Sequence, residues 1–103
     1  MRTIEEVRNE LLQKFEDTGV AQVEGYNSFG FIRRTDNGFY ISREAGEDTY
    51  IPNKKLDQAI DAVRQDPSVY SGGPSKLRFF GITHVNSPLW AVLHLIPLNE
   101  YKP

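Results

Sequence analysis

The segment Tyr26–Arg34 (YNSFGFIRR) constrains the fold more than any other part of this chain, because residue types alternate along it with a period of two. Alternate side chains of a β-strand point to the same face of a sheet. Phe29, Phe31 and Arg33 should therefore share one strand face, while Ile32 points to the other. Two aromatic rings and a cation in one row suit a surface that stacks nucleic-acid bases, but the same row is equally typical of a buried sheet core.

The composition excludes several classes of function. The 103 residues suit one domain with a single modest core, so we expect residues 1–103 to form one unit. The chain has no cysteine, which removes disulfides and thiolate chemistry, and no apolar run of about 20 residues that would span a membrane. Its amino terminus lacks the apolar region of a secretion signal, so we expect a cytoplasmic protein. The net charge of −2 argues against strong non-specific binding of polyanions.

Two segments have helical patterns. An apolar stripe, preceded by capping-box spacing of Thr3 and Glu6, predicts an amphipathic helix over residues 3–17. A second helix is predicted over residues 54–65, with Asn53 as its N-cap.

The other ordered segments have strand patterns. Strands are predicted at 20–26, 29–35, 39–42, 49–51 and 77–83. Asp36-Asn37-Gly38 predicts a hairpin turn, because Asn and Gly tolerate positive φ. Residues 88–97 are ambiguous, since Ser87-Pro88 is a typical helix opening whereas the apolar run that follows is also typical of a buried strand. We favour a strand here, paired antiparallel with 77–83, and the helix is the alternative.

This order of elements predicts a small closed barrel. Once the first helix (1–19) is set aside, residues 20–103 read as a meander of strands, a helix and two more strands. That is the order of the OB-fold, a five-stranded antiparallel barrel with a helix between strands three and four. The sequence therefore predicts an α+β domain in which an N-terminal amphipathic helix packs on an OB-like barrel.

Several motifs resemble those of cold-shock domains. Ser28-Phe-Gly-Phe-Ile32 is similar to their aromatic–glycine–aromatic strand, and Asp48-Thr-Tyr-Ile51 is similar to their second, acid-led strand. Further segments resemble the cold-shock-like RNA-binding domain of transcription termination factor Rho, namely Tyr40-Ile41, Asn53–Leu56 and the last predicted strand at Leu89–Leu95. The resemblance implies a cold-shock-like barrel that binds single-stranded RNA.

The resemblance also implies a set of binding residues. Phe29, Phe31 and Tyr50 would stack on bases. Arg33 would hold the bound RNA beside these rings, and Tyr26 is a further aromatic candidate. The alternative for these rings is burial beneath helix 3–17 as ordinary core.

Cations near the predicted strands are candidates for phosphate contacts. Lys54 and Lys55, at the start of the second predicted helix, are of this kind. The alternative is an ordinary mixed surface, because acidic residues are interspersed among the cations.

The leading prediction is non-enzymatic binding of single-stranded nucleic acid, RNA more than DNA, by stacking and phosphate contacts, with no cofactor. The alternative is a protein-binding module that uses helix 3–17 or a sheet edge and has no nucleic-acid role. Ser87 lies near His84 in the sequence, but no nucleophile-elbow pattern surrounds it. Two histidines without cysteine also argue against a metal site.

Overall fold

The computed structural model describes residues 2–102, in which an open antiparallel sheet is backed by helices. The elements follow one another as α1 (Ile4–Thr18), β1 (Val20–Ala21), β2 (Phe29–Arg34), β3 (Gly38–Arg43), β4 (Thr49–Pro52), α2 (Asn53–Gln65), α3 (Ser68–Ser71), a first 3-10 helix (Pro74–Phe80), α4 (Asn86–Leu93) and a second 3-10 helix (Leu98–Tyr101). The four strands lie side by side in chain order, each antiparallel to the next. The sheet is therefore a meander with β1 and β4 at its edges.

The prediction of a five-stranded, OB-like or cold-shock-like barrel is wrong. Closure of a barrel requires the first and last strands to pair, and β1 and β4 instead lie at opposite edges of a four-stranded sheet. The two strands expected after α2 are absent from the described residues, because 77–83 lies mostly in the first 3-10 helix and 88–97 begins inside α4. Pro88 lies in the first turn of α4, where a missing N–H costs no hydrogen bond.

Helix α1 forms where the sequence predicts it. The Thr3 hydroxyl accepts a hydrogen bond from the Glu6 amide at 3.1 Å, and the Glu6 carboxylate accepts one from the Thr3 amide at 2.9 Å, which completes the capping box. Gly19 ends the helix with φ 76°, and its amide donates to the Phe15 carbonyl at 2.8 Å.

Two local details differ from expectation. Helix α2 forms, but Asn53 is its first residue and Pro52 holds the N-cap position, so the expected side-chain cap is not made. The hairpin between β2 and β3 also forms, but neither Asn37 nor Gly38 has a positive φ. Thr35 closes it instead, since its amide donates to the Gly38 carbonyl at 2.8 Å and its hydroxyl accepts from the Gly38 amide at 3.1 Å.

The core lies between the sheet and the helices. Helix α1 packs on β1 and β2, and α2 packs on β3, β4 and α1. The apolar stripe of α1 is fully buried at Val7, Leu11, Leu12 and Phe15. This stripe therefore supports the sheet as part of the core.

Candidate functional site

The strand register divides the sheet's side chains between two faces, because residues paired across neighbouring strands point to the same side. The face toward the helices, called the covered face, carries Phe29, Phe31, Phe39, Ile41, Thr49 and Ile51, together with Arg34 and Arg43, which pair with Phe39 and Phe29. The opposite face, called the open face, carries Gly30, Arg33, Gly38, Tyr40, Ser42, Tyr50 and Pro52.

Phe29 and Phe31 lie on the covered face. Phe29 is only 4% exposed. The Phe31 ring packs edge-on against Phe15 of α1, with the ring centroids 5.4 Å apart. Phe29 therefore belongs to the core and the partly buried Phe31 ring packs against it, which agrees with the alternative that the sequence left open. Tyr50 lies on the other face, so these three rings do not form one surface.

Arg33 is separated from the phenylalanines by a break in the strand's alternation. The register shifts between Phe31 and Arg33, so that Phe31 pairs with Ile41 on the covered face and Arg33 pairs with Tyr40 on the open face. A β-bulge adds one residue to a strand and reverses the side to which later side chains point. The expectation that Arg33 shares a face with the phenylalanines is therefore wrong.

Arg33, Tyr40 and Tyr50 form a continuous row across β2, β3 and β4, called the stacking row. The guanidinium carbon of Arg33 lies 4.3 Å from the centroid of the Tyr40 ring, within cation–π range. The Tyr40 and Tyr50 ring centroids are 5.0 Å apart, with 52° between the ring planes. Tyr50 is 38% exposed, Arg33 is exposed and Tyr40 is half-buried. The row therefore presents two phenol rings and one cation at the surface of the sheet.

A glycine makes room for the outer ring of this row. A Cβ atom at Gly38 would come within 2.5 Å of the Tyr50 ring and of the Ile51 carbonyl oxygen. Because Gly38 has no side chain, the Tyr50 ring lies directly against the backbone of β3. Glycine at this position thus sets how closely Tyr50 approaches the sheet.

Tyr26 lies away from the stacking row, in the loop between β1 and β2. It is 47% exposed, and its ring packs edge-on against Trp90 with the centroids 4.9 Å apart. Tyr26, Phe29, Pro74 and Trp90 contribute to the lining of a separate cleft of about 200 Å³. Since Phe29 points to the covered face, this cleft is not continuous with the stacking row.

A larger cleft of about 470 Å³, called the polar cleft, adjoins Tyr50 where β4 meets α2. Its lining consists of Arg8, Asp36, Asn37, Tyr50, Pro52, Asn53, Lys54 and Asp57. The Arg8 guanidinium donates to the Asp57 carboxylate at 2.7 Å. Burial raises the pKa of the Asp57 carboxyl, and the nearby Arg8 charge opposes that rise. The cleft thus combines an aromatic wall with hydrogen-bond donors and acceptors.

Lys54 and Lys55 both lie in the first turn of α2. Lys54 is exposed and lines the polar cleft, whereas Lys55 is half-buried. No acidic residue occupies this first turn. A positive charge at Lys54 therefore lies within reach of a ligand that contacts Tyr50.

The sequence patterns did not identify four residues of this site, namely Arg8, Tyr40, Asn53 as a cleft residue, and Asp57. The signal for Tyr40 was available, because it alternates with apolar Phe39 and Ile41 and so must lie on the other face of its strand. Asn53 and Asp57 lie one turn apart on α2, but Arg8 comes from α1, and no spacing in the sequence reports the contact between these two helices.

Two structural features are absent from the part of the chain that the structure describes. Within residues 2–102, no three His, Asp or Glu side chains converge as metal ligands would. None of the helices in that part of the chain has both the length and the apolar character needed to cross a bilayer.

No protein-family model, curated protein or solved structure matches this chain.

Proposed function

We propose that the protein binds single-stranded nucleic acid on the open face of its sheet and does so without catalysing a reaction. The observation that carries the proposal is the stacking row, in which Arg33, Tyr40 and Tyr50 lie side by side at the surface. Aromatic faces stack on bases of any sequence, at about 1–3 kcal/mol per base. The stacking row crosses three β-strands. Successive bases of a single-stranded nucleic acid can therefore each contact one member of the row.

Charge at both ends of the row supports the same function. Arg33 stands at the β2 end, and Lys54 stands beyond Tyr50 in the polar cleft. These cations can contact the phosphates between stacked bases. With a net charge of −2 and few such contacts, we expect weak salt dependence, at about −0.7 in log–log slope for each phosphate contacted.

RNA is the preferred ligand in this proposal. The two rings at the surface are tyrosines, and a phenol can exchange hydrogen bonds with a ribose 2′-hydroxyl. That group distinguishes RNA from DNA. Phenylalanine rings would stack as well but could not make this contact.

A sheet edge supports the alternative, a protein-binding module with no nucleic-acid role. Strand β4 is an edge strand, so a partner strand could add beside it. Its four residues end in Pro52, which has no N–H to donate, so the edge offers few hydrogen bonds. The other predicted surface, on α1, is used by the core.

The test compares two exposed tyrosines. Binding of a fluorescent 11-nucleotide oligouridine is measured by anisotropy at low and high salt. Tyr50→Ala should weaken binding about 5- to 150-fold, the equivalent of about 1–3 kcal/mol. Tyr26→Ala, which removes a ring of similar exposure outside the row, should leave the affinity unchanged. Absence of binding at low salt by the wild-type protein would eliminate the proposal.

A further inference from the structure

Three buried polar atoms, on side chains that line the polar cleft, have no hydrogen-bond partner. They are Arg8 Nε, Asn53 Oδ1 and Asp57 Oδ1, and within residues 2–102 no other buried side-chain nitrogen or oxygen is left unpaired. All three residues line the polar cleft. Buried polar groups are almost always paired in folded proteins, because an unpaired one costs free energy. Because all three residues line one cleft, the geometry points to a ligand that forms hydrogen bonds with these atoms.

The existing hydrogen bonds define what is left for such a ligand. Arg8 uses its Nη1 to donate to Asp57 Oδ2, so Arg8 Nε remains as a donor and Asp57 Oδ1 as an acceptor. The Asn53 side-chain nitrogen donates to the Asp36 carbonyl at 3.3 Å, which orients the amide and leaves its Oδ1 as a second acceptor. The set is therefore one donor and two acceptors.

We propose that the polar cleft receives a guanine base by its Watson–Crick edge. That edge has two donors, N1–H and N2–H, and one acceptor, O6, and so complements the unpaired set in the cleft. The Watson–Crick edges of cytosine and uracil have one donor group and two acceptors, and that of adenine has one of each, so none of them completes the set. The inference rests on the proposed function, because the guanine would belong to a single-stranded nucleic acid bound on the open face.

Tyr50 joins the two sites. Its ring is the outer member of the stacking row and also lines the polar cleft. A nucleotide stacked at this end of the row is thus next to the cleft. Lys54 lies at the same place and can contact the phosphate of that nucleotide.

Entry of the base requires a local movement. The Asp57 side chain is 32% exposed and the Arg8 side chain 17%, but the unpaired atoms themselves are covered. The two side chains must therefore turn toward the cleft as the base enters. The unpaired atoms favour that turn, because only the bound state pairs them.

The test measures base preference within one oligonucleotide. An 11-nucleotide oligouridine with a single central guanosine is compared with matched oligonucleotides that carry adenosine, cytidine or uridine at that position. A single guanosine cannot form the four-stranded structures of guanine-rich RNA. The wild-type protein should bind the guanosine oligonucleotide about 10-fold more tightly than the others, as for one well-paired base.

Asp57→Asn should remove that preference. An asparagine would keep its oxygen toward Arg8 and present its NH₂ group to the base, which replaces an acceptor with a donor. Asp57→Asn should therefore bind the guanosine oligonucleotide no more tightly than it binds oligouridine. Asp61→Asn, one turn further along α2 and outside the cleft, should keep the preference. Asn53→Ala, which leaves the Arg8–Asp57 pair intact, should also lower the preference.

The outcomes separate this inference from the proposed function. If no oligonucleotide binds, the proposed function fails and the guanine site fails with it. If all four oligonucleotides bind equally, only the guanine site is overturned, and the unpaired atoms are hydrated by water. The site is also overturned if Asp57→Asn and Asn53→Ala weaken binding of all four equally, because the residues then act through the fold. Thermal unfolding of each variant shows whether it is folded.

Discussion

On the covered face of the sheet, Phe39 and Ile51 are fully buried beneath the helices, whereas Tyr40 and Tyr50, their immediate neighbours on the same two strands, lie on the open face. The buried side chains of the covered face are rings and branched chains without polar groups. The open face uses rings with a hydroxyl, which must meet water or a ligand. The presence of aromatic residues in a strand therefore does not identify a binding surface. The face of the sheet on which each ring lies decides whether that ring can bind a ligand.

The largest effect is expected when a ring is removed from the covered face. Phe39→Ala should lower the free energy of unfolding by about 3–5 kcal/mol, because it leaves a cavity among the helices. Tyr50→Ala should cost no more than about 1 kcal/mol, since it removes one cross-strand pair at an edge. Urea denaturation of both variants measures the difference. Equal losses would mean that the open face is as much a part of the core as the covered face.

A side chain added at Gly38, beneath the Tyr50 ring, should have an intermediate effect on the free energy of unfolding. Gly38→Ala places a Cβ against the Ile51 carbonyl oxygen, which is backbone and cannot move aside, so we expect a cost of about 1–3 kcal/mol. It should also displace the Tyr50 ring and weaken oligouridine binding although no aromatic residue is lost.

Gly30→Ala on the same face is the matched control for Gly38→Ala. A Cβ at Gly30 would overlap only the Ser42 hydroxyl, which can rotate to another rotamer. Its cost should therefore be smaller and binding should be retained, as measured by the same denaturation and anisotropy experiments. If both alanines weaken binding alike, the position of Tyr50 is not what matters.

The parts of the fold that local signals determine could be predicted from the sequence. Helix α1 begins where Thr3 and Glu6 predict, and it ends at Gly19, whose φ is positive. These predictions succeed because a cap and a stop depend on a few neighbouring residues.

The two expected strands after α2 were wrong because β-propensity competed with stronger punctuation. Leu77–Thr83 is rich in residues that favour strands, but Pro74 starts a 3-10 helix before it and Gly81, with φ 84°, ends that helix. Without these strands the sheet has nothing to close it. Whether the barrel closes thus depended on two segments with conflicting signals, 77–83 and 88–97.

The candidate site could be predicted only in part. Tyr50 and Arg33 were chosen from the sequence, and both lie on the open face. The bulge after Phe31 could not be foreseen, because strict alternation is the only register that a single strand shows. The polar cleft could not be foreseen either, since Arg8 and Asp57 come from helices far apart in the sequence.

The smallest effect is expected at the N-terminus of α1, the helix that covers the buried rings. Hydrogen bonds from the Thr3 amide and hydroxyl lower the pKa of the Glu6 carboxyl below its usual value of 4.5. A carboxyl whose pKa is lower in the folded state than in the unfolded state stabilises the protein above the unfolded-state pKa, and this stabilisation is lost as pH falls through the folded-state pKa. Wild type should therefore be more stable than Glu6→Gln at pH 7, and the difference in the free energy of unfolding should shrink as the pH falls below 4.5, the usual pKa of this carboxyl. Urea denaturation between pH 3 and pH 7 measures it, with Glu16→Gln, an exposed residue near the other end of α1, as the control. A difference that does not change with pH would show that the Glu6 charge has no part in the capping box, and that α1 is held over the covered face by its buried stripe alone.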